Sequence, residues 1–494
     1  MRGSDDYGPV EEPDPRRWRA LSVTLGVGFM TLLDVSIVNV ALPSMQIGLQ
    51  AGAGAVQWVV SGYALTFGLT LVAGGRLGDA LGRRRIFMLA LAGFVVTSAL
   101  AGAAPSIELL IIARLLQGAT AGMLTPQSSG LIQNLFHGAE RGKAFGFMGA
   151  TIGISTAVGP VLGGLIIAAF GAESGWRWVF YVNVPIGIAA LIVAARVLPK
   201  EDRRGVGVRS EIDFAGAALL GAAVVALLFP IVQVESGKLG QWWWLLPIAV
   251  VLGFLFVRWE KNAGGRGRAP LLDLRLFTTT KGYSSGVAIG TVYFSGFSGI
   301  FVVMAMFFQT GLQYTALQSG LVVTSFALGS SVSSAVAGRL VAKWGRRITV
   351  TALSAVVIGL VGSAVVVLVA PADEVGFWIT IPLLVAGLGG GAVISPNITM
   401  ALENVPTHMA GAAGGALQTG QRIGTAVGTA LMVAAYHAGA NLADGRPNVG
   451  AAVAFGTATL ATLVALSLAL RELRSRRTCN VDENLSQRSV ISGQ

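Results

Sequence analysis

Charge is scarce in this chain. Asp, Glu, Lys and Arg make up 12% of its 494 residues, about half the ~25% share of soluble domains. That is too little to keep a globular surface of this size in water. Cysteine is scarcer still. Cys479 stands alone, so no internal disulfide or thiolate metal cluster is available. The three histidines, His137, His408 and His437, fall at loop edges without ligand spacing, and no metal site is expected.

Nucleotide motifs are missing as well. The segment Gly138-Ala-Glu-Arg-Gly142-Lys143-Ala144 has the wrong spacing for a phosphate loop and no Ser or Thr after its lysine. Gly387-Leu-Gly389-Gly-Gly391 lies inside an apolar run. With no legible nucleophile and base, neither an enzyme nor a cofactor is expected. No cleavable leader is expected either, since the first 18 residues are polar and proline-rich.

Apolar sequence dominates instead, at 53% of residues with a mean hydropathy of +0.70. Runs of roughly 20 residues recur from Leu21 to Leu470, each long enough to cross ~30 Å of hydrocarbon. The reading is an all-α, multi-pass integral membrane protein of about 14 spans, at 19–42, 57–77, 86–104, 108–132, 144–169, 178–198, 213–234, 242–258, 283–309, 316–340, 349–370, 377–402, 411–436 and 449–470. The net charge of +11 follows topology and not nucleic acid, because Lys and Arg sit between the runs with no basic, aromatic-interleaved face. With both termini cytoplasmic, only Arg177, Lys238 and Arg446 face outward, and Arg114 and Arg422 lie within spans. The remaining Lys and Arg lie inside or at inner helix ends, as in a cell membrane protein.

The chain also repeats itself. Gly75-Arg-Leu-Gly-Asp-Ala-Leu-Gly-Arg-Arg-Arg85 recurs as Gly338-Arg-Leu-Val-Ala-Lys-Trp-Gly-Arg-Arg-Ile348, identical at six of eleven positions with an offset of 263. Gly153-Ile-Ser-Thr-Ala-Val-Gly159 is echoed by Arg422-Ile-Gly-Thr-Ala-Val-Gly428. Two six-helix bundles are therefore expected, over 19–198 and 283–470. Between them would lie an inserted helix pair within 199–258 and a cytoplasmic loop at 259–282, flanked at the chain ends by tails at 1–18 and 471–494. The tail from Arg471 is polar and expected to be mobile.

Leu33-Asp-Val-Ser-Ile-Val-Asn-Val-Ala-Leu-Pro43 closely resembles the first-helix signature of the fourteen-helix drug:proton antiporters of the major facilitator superfamily. The loop with Gly75, Asp79, Gly82, Arg83 and Arg84 resembles the family's link between helices two and three. Leu110-Ile-Ile-Ala-Arg114-Leu-Leu-Gln117-Gly118 resembles its embedded-arginine motif, and Gly153, Gly159, Pro160, Gly163 and Gly164 its antiporter motif. The resemblance implies the major facilitator fold and proton-coupled export of amphiphilic drugs or antibiotics. The proton would be the coupling ion, a small molecule the substrate, and the bilayer the surroundings; a monomer would suffice.

For individual residues the resemblance implies proton coupling by Asp34 and Arg114 and conformational switching by the loop. At ~1.5 Å per residue, Arg114 lies about 10 Å below the outer end of its span and Asp34 about 12 Å below the end of its own. That matched depth permits communication between them. Asp34 is alternatively inter-helix glue, hydrogen-bonded to Asn39 or a neighbour. Ala342 stands where the first repeat has Asp79, so a carboxylate role belongs to the first copy. Asn39, Tyr293, Phe297, Gln418, Gln421 and Arg422 are candidate cavity residues, and Tyr293 and Phe297 belong to an aromatic and methionine series of the ninth span with Phe294, Phe301, Met304 and Met306. Trp176 and Trp178 are expected to be outer-interface anchors. Transport of one specific metabolite is the alternative function; a membrane sensor or enzyme is the alternative class.

Overall fold

The computed structural model describes residues 15–171, 173–199, 213–232, 239–262 and 270–492, which contain helix and no strand. In the first half, α1 (Arg17–Gly48), α2 (Ala53–Leu81), α3 (Arg83–Ala103), α4 (Ile107–Leu135) and α5 (Gly138–Phe170) are followed by α6 (Gly175–Tyr181) and α7 (Asn183–Val197). Then come α8 (Phe214–Val232), α9 (Leu239–Trp242), α10 (Leu245–Lys261) and α11 (Arg275–Thr279). The second half holds α12 (Tyr283–Ala305), closed by a π-helical turn, α13 (Ala316–Trp344), α14 (Arg346–Val369), α15 (Val375–Trp378), α16 (Thr380–Ala401), α17 (Ala410–Leu442) and α18 (Pro447–Ser492). Segments 1–14, 200–212, 233–238 and 263–269, which include most of the expected connectors and the N-terminal tail, lie outside the described residues.

Twelve helical segments among the described residues are long and apolar enough to span a bilayer, where fourteen spans are expected. The other two, α8 and α10, are shorter, 19 and 17 residues. Arg258, Glu260 and Lys261 also make the last turn of α10 polar. The two pack along each other, and α8 lies against α2 and α17. At the far end of the chain, α18 continues into the expected tail as far as Ser492.

Local chemistry sets the helix boundaries. The Ser106 hydroxyl accepts from the Leu109 N–H at the start of α4, and Thr315 with Gln318 forms a capping box at the start of α13. Gly82 and Gly345 occupy the same place in the repeat, and each is the single residue linking two helices, with φ of 95° and 51°. A side chain is strained in that region of backbone space, which accounts for glycine in both copies.

The helix pairings repeat too. In the first half α2 packs on α4, α3 on α4 and α7, and α1 on α5 and α7. In the second, α13 packs on α16, α14 on α16 and α18, and α12 on α17 and α18. The halves meet reciprocally, α5 against α13 and α2 against α17. On the outside, Leu89, Val96 and Leu100 of α3 and Ile358, Val365 and Val369 of α14 are each more than half exposed. Exposed apolar faces of this extent suit lipid, where small residues and polar pairs, not apolar burial, hold helices together.

Candidate functional site

An ionised carboxylate inside a bilayer needs donors, and Asp34 on α1 has them from three sides. Its side chain is 0% exposed and its Oδ2 lies 2.6 Å from Arg114 Nη1 of α4. Gln117 Nε2 and Asn183 Nδ2 both donate to its Oδ1, at 3.2 and 2.8 Å. The same two amides reach Ser98 Oγ on α3, each at 3.1 Å, and Ser98 donates to the Phe180 carbonyl.

Arg114 is held just as firmly. Nη1 also donates to Gln117 Oε1 at 2.8 Å, and Nε donates to the Val59 carbonyl of α2 at 3.0 Å. Its guanidinium carbon lies 4.1 Å from the centroid of the Tyr63 ring. The cage thus draws on α1, α2, α3, α4 and α7. It can hold one negative charge against one positive charge, or release the cation when the acid takes a proton.

Asn39 is exposed and is not the partner of Asp34. It lies over a turn further along α1, and Asn183 of α7 takes the position expected of it. Trp176 is likewise no interface anchor: it is 0% exposed, with its ring edge against Gly48. Trp178, at 45% exposure, keeps the position of an anchor.

The switch-loop residues form a latch between the halves. Asp79 Oδ1 accepts from the Gly411 N–H at 3.1 Å and Oδ2 from the Ala412 N–H at 2.9 Å, at the positive N-terminal end of α17. Arg83 Nη2 lies 2.8 Å from Asp79 Oδ1 and donates to the Thr407 carbonyl at 2.6 Å. Arg83 Nη1 donates to the Gly130 carbonyl. Arg84 instead reaches the Ala195 carbonyl, within its own half. Gly75 faces the Gly411 backbone so closely that a Cβ would overlap the carbonyl.

In the second copy, Arg346 stands at the place of Arg83. Lacking a carboxylate at position 342, it pairs within its own half, with Glu472 of α18 at 2.7 Å and Asn397 Oδ1 at 2.8 Å. Arg83 thus reaches the Thr407 carbonyl across the halves, whereas Arg346 meets Glu472 and Asn397 of its own half.

The antiporter-motif glycines split between two neighbours. Gly153 faces Ala327 and Ser331 of α13, across the halves, while Gly159 and Gly163 face Ser36 and Ile37 of α1. Gly164 faces open space. Pro160 continues α5, and its side chain lies outside the described set. Nearer the latch, Gly142 and Gly146 press against Gly338. The halves are therefore clamped at the latch end, and α5 leaves α13 for α1 beyond Gly153.

The cavity candidates also separate. Tyr293 is buried and stacks on Phe297 at 5.3 Å, and Phe297 in turn meets Phe301 and Phe326, all inside the second half. Gln421 lies beside Gly290 of α12. Gln418 is buried on α17. Arg422 alone of this set reaches across, its guanidinium carbon 4.4 Å from the Phe67 ring of α2.

The sequence profile of the Major Facilitator Superfamily matches residues 24–429, and the chain belongs to that family of membrane transporters. A probable actinorhodin transporter of Streptomyces coelicolor is 34% identical over 98% of this chain and 86% of its own length. A puromycin resistance protein of Streptomyces alboniger is 36% identical over 86% of this chain and 84% of its own. Among solved structures, the human organic anion transporter TETRAN superposes with a TM-score of 0.67 at 17% identity, over 92% of this chain and 100% of that one. A proton:xylose symporter gives 0.64 at 15% identity, over 92% and 95%. At such identities these two similarities speak to the fold alone.

Proposed function

We propose that this protein is a secondary transporter that exports amphiphilic drugs or antibiotics in exchange for protons, by alternating access between two six-helix bundles. It would lie in the cell membrane with both termini cytoplasmic and catalyse no covalent chemistry. The observation that carries the reading is the fully buried Asp34–Arg114 pair. A membrane-buried acid set against one caged cation and two amides is suited to exchange its charge for a proton. The resistance and export names of the relatives support the direction.

Helix α2 connects that acid to the latch. Its Val59 carbonyl and Tyr63 ring hold Arg114 at one end, and Asp79 grips α17 at the other, 20 residues or ~30 Å away. Protonation of Asp34 frees Arg114 to shift against α2, and a tilt of that rod loads or unloads the latch.

Everted vesicles containing the protein should accumulate a drug when a proton gradient is imposed, and dissipating the gradient should stop them. Asp34→Asn should abolish this accumulation at normal expression. Undiminished gradient-driven accumulation in Asp34→Asn would remove Asp34 from the mechanism.

A further inference from the structure

Arg422 sits where the two halves stop touching backbone to backbone. Toward the latch, α17 meets α2 through glycine, with Gly411 opposite Gly75 and Gly415 opposite Leu71 and Val72. Two turns beyond Gly415 the same side of α17 carries Arg422, and α2 answers with Phe67. Phe67 stacks on Tyr63 at 6.1 Å, and Tyr63 carries Arg114 on its face. The Tyr63 hydroxyl is buried and has no hydrogen-bond partner among the described residues.

The buried charges near the boundary of the halves do not balance. Asp34 and Arg114 neutralise each other, as do Asp79 with Arg83 and Arg346 with Glu472. Arg422 takes part in none of the ion pairs among the described residues. It is half-buried, and its guanidinium carbon stands 4.4 Å over the centroid of the Phe67 ring. That contact stabilises the cation while leaving the edge of the guanidinium, with its paired N–H donors, open to a planar acceptor.

We propose that Arg422 is the anion-recognising residue of the transport cavity, and that favoured substrates carry a carboxylate, phenolate or sulfonate on a planar aromatic body that packs beside Phe67. This deepens the export reading above and rests on it for the identity of the cavity. A cationic ligand at this level would meet two guanidiniums and one carboxylate. Protonating Asp34 only adds positive charge, so the preference holds in either protonation state. Proton and anion then do not compete for one carboxylate, and their exchange runs through movement of the halves.

The test is binding to the purified full-length protein, without any gradient, read by fluorescence titration. The probes are pyrene-1-carboxylate, pyrene-1-carboxamide and (pyren-1-ylmethyl)trimethylammonium. Wild type should bind the carboxylate at least tenfold more tightly than either of the others. Arg422→Gln should bring the carboxylate-to-amide affinity ratio close to one, Arg422→Lys should keep most of it, and Arg422→Glu should favour the ammonium probe. If Arg422→Gln proves unstable by its thermal midpoint, the Lys and Glu variants decide on the same ratios. Equal binding of the probes by wild type, no binding of the carboxylate, or a ratio that survives in Arg422→Gln or Arg422→Glu would overturn the proposal. Failure of proton-driven accumulation in vesicles would count against the export reading and leave this binding result standing.

Discussion

Two carboxylate oxygens shut away from water must find donors. Asp34 takes one guanidinium and two amides, and Ser98 fixes both amides in turn. Arg114 is the harder member to replace, because its Nη1 serves Asp34 and Gln117 together while its Nε serves the Val59 carbonyl. Arg114→Leu strands a buried charge, and such breaks cost about 3–5 kcal/mol. A clear fall in the thermal midpoint of the purified variant is expected. Arg114→Lys should recover little of it, since a point charge cannot match the fork. An unchanged midpoint in Arg114→Leu would contradict a stabilising role for the pair.

The Asp34–Arg114 pairing was legible from depth along two helices, since both polar residues interrupt apolar runs at matching levels. Asn183 was not. It sits amid the aromatic stretch Trp176–Pro185, which reads as an interface belt, and only the turn from α6 into α7 brings it onto Asp34. Its one sequence signal is an uncharged polar side chain at the head of an apolar run. Trp176 misleads for a related reason: a tryptophan near a helix end looks like an anchor unless a glycine, here Gly48, makes room to bury it.

Among the elements, α2 and α17 meet closely at the latch end. Their contact relies on Gly75, Gly411 and Gly415, each without space for a Cβ against the opposing backbone. Gly411→Val should wedge the latch apart and favour the state open at that end. Spin labels placed across the latch, in a Cys479→Ser background, would report longer distances; an unchanged distribution would mean that the contact does not control closure. Asp79→Asn should act in the same direction, because it removes the charge that faces the α17 N-terminus and Arg83. Glu472→Gln, which breaks the corresponding pair of the second copy, should lower stability without opening the latch. The two motif copies share six of eleven residues, and of their five differences it is Asp79 against Ala342 that fits where their arginines go. Helix count was less legible than helix contacts. An apolar run does not reveal where polar residues end a helix, and α10 falls short for that reason, with Arg258, Glu260 and Lys261 in its last turn.

At the scale of the molecule, both halves pair their helices in one pattern, and the interface between them is reciprocal. The repeat at offsets of 263 and 269 foreshadowed this. The chemistry is not shared equally. The caged acid and the bridging latch belong to the first half, while the aromatic cluster and Arg422 belong to the second. The buried acid thus lies in the first half and the cation that is unpaired among the described residues in the second, and the halves meet along α5 against α13 and α2 against α17. Sequence could assign the motifs to halves, but it could not show that Arg422 faces Phe67 across that boundary.

The most direct test of the coupling claim is proton movement driven by substrate alone. Proteoliposomes containing the purified protein and an entrapped pH dye would be given a substrate gradient and no initial proton gradient. Wild type should move protons opposite to the substrate. Asp34→Asn should still exchange labelled for unlabelled substrate but move no protons. Substrate-driven proton movement persisting in Asp34→Asn would contradict the assignment of the transported proton to Asp34.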